Sequence, residues 1–202
     1  MVILPILLFS VVFHEYAHGI IAEKCGDDTA RVMGRITLNP LKHIDLVGTI
    51  ILPALLIFSG AKFLFAWAKP VPINPRKFQN YKLDIMKVAA AGPLANLTLV
   101  FFTLFILFLL RIINFNDQAL LGICHYAVYI NVVLMLFNLL PIVPLDGSKI
   151  LYGVASQGVR NVMDKLEPFG FIILLVLINI PIFRRIFFGL VVLISETLLG
   201  II

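Results

Sequence analysis

Two histidines, His14 and His18, stand four residues apart with Glu15 between them, in the stretch His14-Glu15-Tyr16-Ala17-His18. On a helix the two imidazoles share one face, about 6 Å apart at their Cβ atoms. That spacing lets both bind one zinc ion, with the glutamate beside them as proton acceptor for a water molecule. The chain holds four histidines and four glutamates among 202 residues, so chance would produce the pattern on the order of 0.002 times. The pattern lies inside the apolar run Met1 to Ala22, which is long enough to cross a bilayer. Ionisable groups are costly there: insertion scales give roughly 2.5–3.5 kcal/mol for an Asp at the centre of a membrane helix. Hydrolysis within the membrane accounts for that cost.

Hydrolytic zinc sites usually have three protein ligands and one open position. The candidates for the third are His43, His125, Asp146, Glu196 and the loop acids Asp27, Asp28 and Asp45. Asp146 is the best placed. Pro141 and Pro144 break the helix ahead of it and Gly147 follows at once. Irregular backbone at membrane depth is tolerated where it is buried in protein or lines a wet cavity, and a carboxylate there suits a metal. A plain helix-end turn at the interface is the alternative. His43 sits in a polar loop. His125 lies 13 residues before Asn138, roughly 20 Å along a helix. Solvation and packing are the expected roles of both.

The composition sets the class. Hydrophobic residues make up 61% of the chain and charged residues 13%, with a mean hydropathy of +1.05. A soluble domain averages about 25% charged residues, so the chain reads as an all-α polytopic membrane protein. Cys25 and Cys124 give neither a disulfide framework nor a zinc-ribbon spacing and are expected to pack as small apolar residues. The first apolar stretch lacks a basic n-region and carries the histidine pair, which argues for a retained span over a cleaved signal peptide. The net charge is +5. The basic residues form no stripe with stacking aromatics, so no nucleic-acid partner is expected.

The elements that must position the site follow from the apolar runs. Val2 to Ala22 reads as the first span. Thr29 to Asp45 has β-branched residues, a Gly and a Pro but no helical period, which predicts a short strand or extended loop. Leu46 to Ala68 is apolar but interrupted by Pro53 and Ser59-Gly60, and Lys69 to Pro75 is stiff and extended. Spans are predicted over about Met86 to Leu110 and Ala119 to Leu140, a surface helix over Ser148 to Lys165, and further apolar helices over Pro168 to Ile180 and Ile186 to Ile202. The expected fold is therefore about five membrane-crossing helices, a re-entrant hairpin and short membrane-associated extended strands. It forms one domain over residues 1–202, with a catalytic core of about 1–150 and C-terminal helices over about 151–202.

With these residues in view, the chain resembles the site-2 proteases, a family of intramembrane zinc metalloproteases. His14 to His18 matches the family's HExxH. Asn138-Leu139-Leu140-Pro141-Ile142-Val143-Pro144-Leu145-Asp146-Gly147 is similar to its NxxPxxPLDG motif, and Ala91-Gly92-Pro93-Leu94-Ala95-Asn96 to its AGPxxN stretch. The likeness covers about Phe9 to Lys149 and is closest to the short bacterial and archaeal branch without PDZ or CBS domains. It implies His14, His18 and Asp146 as ligands of one zinc ion per chain and Glu15 as catalytic base. It also implies transmembrane-helix proteins as substrates.

Convergence on one ion constrains topology. The histidines and Asp146 both lie toward the C-terminal ends of their spans, so those spans must run in the same direction, with a net odd number of crossings between them. The Met86 to Leu110 helix supplies one, and Leu46 to Ala68 must then enter and leave on one side. On that model thirteen Lys and Arg residues fall on one side, among them Lys24, Arg76 and Lys149, against Arg111 on the other, joined by Arg184 and Arg185 if Pro168 to Ile180 crosses. The positive-inside rule makes the first side cytoplasmic. The expected location is the cell membrane, multi-pass, with the site toward the cytoplasm.

Asn138 is a candidate donor to the tetrahedral oxyanion, and equally a cap for the broken helix end. A substrate helix must unwind before a carbonyl is accessible. Arg35 to Leu38 and Val71 to Asn74 are candidates for pairing with the unwound strand, and loop segments otherwise. Asn96 reads as an interhelical hydrogen-bonding group near the site. It is placed with Ile36, Thr37, Val71 and Ile73 among the residues expected to border the substrate, and Gly92 is expected to permit close helix approach. The rival of another class is an ion transporter using the same four ionisable residues. It is disfavoured because the sequence shows no inverted repeat.

Overall fold

The computed structural model describes residues 3–51, 54, 55, 58 and 68–201. Seven helices carry the architecture: α1 (Ile3–Lys24), α2 (Tyr81–Ile112), α3 (Gln118–Asn138), α4 (Asp146–Val154), α5 (Gln157–Leu166), α6 (Gly170–Asn179) and α7 (Pro181–Leu199). The boundaries follow from local chemistry. Asn80 caps α2 by accepting the Leu83 N–H, while Asp84 accepts the Asn80 N–H in return. Asp117 caps α3 through the Leu120 N–H. Two residues past the end of α1, Gly26 adopts φ +104°, a left-handed conformation that glycine reaches without a steric penalty.

α1, α2 and α3 are long and apolar enough to cross a membrane. Their contacts fix their directions. Ser10 of α1 meets Asn96 of α2 and Asn131 of α3. Further along α1, His18 meets Val88, earlier in α2, and Asp146 follows the end of α3. α1 and α3 therefore run parallel, with α2 antiparallel between them. Val100 and Leu104 of α2, Val128 and Val132 of α3, and Phe187 and Val191 of α7 form the main buried cluster. Outside it, Phe101, Phe102 and Phe105 of α2 are exposed. A row of exposed aromatics on a buried-length helix fits a lipid-facing surface.

The C-terminal region departs from expectation. α6, within the apolar helix expected over Pro168 to Ile180, has ten helical residues and by itself reaches about 15 Å, half of the roughly 30 Å hydrocarbon core. Pro181 then opens α7, and the α5–α6 stretch meets α7 at a bend of 82°. Among the described residues there are thus three helices of spanning length, or four if that bent pair forms one span, against the five expected.

No strand forms among the described residues. The segments read as strands or extended loops are held by side chains. Arg35 donates to the carbonyls of Lys69 and Pro70, and Asp27 accepts the Asn74 N–H. The hairpin expected over Leu46 to Ala68 lies largely outside the described residues; its first turns, Leu46–Ile51, are π-helical. Its flanks do meet: the Lys69 N–H donates to the His43 carbonyl at 2.8 Å, and the Gln79 N–H to the Cys25 carbonyl at 3.2 Å. The chain therefore returns to the end of α1 before α2 begins.

Candidate metal centre

The start of α4 brings Asp146 against the histidine pair. The Nε2 atoms of His14 and His18 are 3.0 Å apart, and Asp146 Oδ2 lies 3.1 Å from the first and 3.2 Å from the second. All three residues are buried. Donor atoms about 2 Å from zinc at tetrahedral angles stand about 3.3 Å apart, so the triangle is close to one face of such a polyhedron.

Hydrogen bonding argues for a metal over a proton at its centre. His18 Nδ1 is 2.7 Å from the Val88 carbonyl, which only accepts, so Nδ1 holds the proton. His14 Nδ1 is 2.7 Å from Asn96 Oδ1 and donates likewise. In the neutral rings both Nε2 atoms then carry lone pairs, aimed at each other and at a carboxylate oxygen. Asp146 Oδ2 has no hydrogen-bond partner among the described residues. Three acceptors converging in a buried site repel one another unless a cation joins them, and two imidazoles with one carboxylate are a set that zinc takes. The other carboxylate oxygen, Oδ1, lies 3.9 Å from Lys149 Nζ.

Two glycines make this approach possible. A Cβ on Gly92 would fall 2.4 Å from His14 Nε2 and 2.5 Å from His18 Nε2. A Cβ on Gly147 would fall 2.2 Å from the Leu139 carbonyl oxygen. The first lets α1 lie on α2; the second lets the α3–α4 loop fold tightly enough to deliver Asp146.

A cavity of about 510 Å³ opens from the triad. His14, Glu15 and His18 line one end, with Val71, Ile73, Asn138, Asp146 and Lys149 around it. Glu15 Oε2 accepts the Val71 N–H at 2.7 Å, which ties the carboxylate to the extended segment. Asn138 borders the cavity, but its Nδ2 donates to the Leu134 carbonyl at 3.0 Å.

Asn96, Ile36 and Thr37, three of the residues expected to border the substrate, do not line this cavity. Asn96 is fully buried and spends its amide on His14, Ser10 and Asn131. Ile36 packs near Gly19 of α1, and the Thr37 carbonyl lies 2.9 Å from His43 Nε2; neither lines the cavity. Sequence reasoning missed Asn131 and Ser10 as partners of this network. The available signal was a pair of polar residues within apolar spans.

A model of Peptidase family M50 matches residues 112–179. A protein of Bacillus subtilis (strain 168) named "Putative zinc metalloprotease YwhC" is 41% identical over 181 residues, covering 87% of this chain and 79% of its own length. "Putative zinc metalloprotease Rip2" of Mycolicibacterium smegmatis is 30% identical over 186 residues, covering 91% of this chain and 69% of its own length. No solved structure matches the chain significantly. Similarity of this extent shows that the chain belongs to peptidase family M50, the site-2 proteases, and is a membrane-embedded zinc metalloprotease.

Proposed function

We propose that this protease hydrolyses peptide bonds within or beside the transmembrane helices of substrate proteins, with His14, His18 and Asp146 as ligands of a single zinc ion and Glu15 as general base. The observation that carries this reading is the 3.0–3.2 Å triangle of donor atoms, formed between α1, a helix of spanning length, and the start of α4, and open to a cavity that Glu15 also lines.

When bound, zinc supplies Lewis-acid activation of a water molecule and of the scissile carbonyl. Glu15 takes the proton of the attacking water and passes it to the leaving amine nitrogen. The Val71 N–H holds one of its oxygens and leaves the other for that transfer. Val71 and Ile73 border the bound strand, since both line the cavity. Asn138 supports the developing oxyanion with the amide hydrogen not given to Leu134. The bilayer is both solvent and substrate reservoir; no nucleic acid takes part.

The site faces the cytoplasmic side of the cell membrane. Support comes from the parallel run of α1 and α3 and from the return of the chain to the end of α1 before α2, which gather the basic residues on the metal side. The decisive experiment incubates a panel of single-span substrates with wild-type protein and with Glu15→Gln, alongside metal analysis. Cleavage by the wild type alone, with equal zinc in both, is the expected result. A variant that still cleaves removes Glu15 as the base; a wild type that cleaves soluble peptides but no membrane helix removes the intramembrane reading.

A further inference from the structure

On the side of His14 away from the metal donors lies a polar cluster that the hydrolysis itself does not use. Ser10, Asn96 and Asn131 come from α1, α2 and α3 and are 1%, 0% and 2% exposed. Backbone carbonyls only accept, and this settles which way each amide points. Asn131 Nδ2 is 2.9 Å from the Ala127 carbonyl and 3.0 Å from Ser10 Oγ, so Asn131 Oδ1 is the acceptor left for Asn96. Asn96 Nδ2 donates to it at 3.0 Å and reaches toward the Ser10 carbonyl at 3.4 Å. Asn96 Oδ1 is thereby turned to His14 and takes its Nδ1 proton at 2.7 Å.

We infer that Asn131 is a positioning residue of the zinc site: acting through Asn96, it sets the amide orientation that keeps the His14 proton on Nδ1 and the Nε2 lone pair free for metal. The inference rests on His14 being a zinc ligand, as proposed above. A flipped Asn96 would present Nδ2 to His14 Nδ1. The ring would then hold its proton on Nε2, where an N–H opposes a cation. In water such a flip is compensated by solvent. Buried between three spans, the amide has no partner except those its neighbours provide. Groups that orient a metal-bound histidine through its second nitrogen typically change metal affinity 10–100-fold when removed, and Asn131 extends that control one residue further, into a third helix.

The test measures zinc affinity by chelator competition on the full chain in detergent, for wild type, Asn131→Leu, the double variant Asn96→Asp/Asn131→Leu, and His14→Ala. Asn131→Leu should weaken zinc binding about tenfold or more. The double variant should recover most of it, because a carboxylate accepts the His14 proton with either oxygen and has no wrong orientation. Nitrogen-15 histidine NMR of the zinc-free protein should show His14 as the Nδ1–H form in wild type and a mixture in Asn131→Leu. Unchanged affinity and tautomer in Asn131→Leu would overturn the inference. So would a loss that Asn96→Asp fails to repair, since that would mark damaged packing. If the leucine variant does not fold, Asn131→Ser replaces it: its hydroxyl can satisfy the Ala127 carbonyl but is too short to hold Asn96, so the same loss and the same repair apply. His14→Ala separates the two layers. If it binds zinc as wild type does, the ligand assignment itself fails, independently of Asn131.

Discussion

Gly92 and His14 are in a contact that no other residue type at position 92 would allow: a Cβ there would stand 2.4 Å from both Cε1 and Nε2 of the imidazole. The metal centre is therefore shaped by an absent side chain on α2 as much as by the histidines of α1. Gly92→Ala should displace both rings, reduce zinc affinity by about the 10–100-fold seen when ligand-orienting groups are lost, and reduce proteolysis in parallel. Gly122→Ala, in α3 with nothing within 4 Å of its Cβ position, is the control. It should keep wild-type zinc and gain roughly 0.5–1 kcal/mol of stability from alanine's helix preference. Zinc titration and thermal unfolding of the two variants check this.

Glu15 lines the cavity beside the donor triangle but is not part of it; the proposed mechanism makes it the base. Glu15→Gln should lower the cleavage rate by about the 10²–10⁴-fold typical of a lost general base while zinc content stays at one per chain. A rate assay paired with metal analysis reads both. A loss of zinc equal to the loss of rate would place Glu15 in the metal shell instead.

The Val71 N–H donates to Glu15 Oε2, so on the proposed mechanism the extended segment supports the base. Val71→Pro removes that donor without touching the three donor atoms. The expected result is a reduced turnover number, unchanged zinc content and little change in Tm. Wild-type turnover would show that Glu15 needs no such support.

Removal of metal should expose the repulsion among the three acceptors. Chelation should abolish hydrolysis and lower Tm, and added zinc should restore both, with Tm rising with free zinc concentration as expected for a ligand that binds the folded state. A Tm indifferent to zinc would mean that the triangle is stable empty.

Arg76 is exposed, in the turn Pro75–Lys77 between the extended segment and α2. A cysteine substituted there should react with an impermeant thiol reagent only when the reagent reaches the cytoplasmic side. Labelling from outside intact cells would invert the proposed orientation.

The spacing of His14, Glu15 and His18 made the metal chemistry legible from the sequence alone, because one helical turn brings the two imidazoles to one face whatever the surroundings. The apolar runs likewise gave the three long spans, since length and hydropathy decide whether a segment can cross. Asp146 was readable as a ligand from the broken helix and the motif around it, but its meeting with His14 and His18 spans more than 120 residues and depends on helix direction, which packing sets. The tertiary structure alone decided the rest. Asn96 was readable as an interhelical hydrogen-bonding amide near the site, but that its partners are His14, Ser10 and Asn131 only the fold decides. Local pattern says that an amide lies in a span; it does not say which neighbours claim its donor and its acceptor. Among the described residues the extended segments form no ladder; Arg35, Asp27 and Glu15 bond to their backbone groups, and no local pattern announces those partners. The number of C-terminal crossings was not legible, because Pro181 opens α7 at a bend of 82° to the helical stretch that ends at Asn179, and hydropathy counts residues without regard to the direction in which the chain turns.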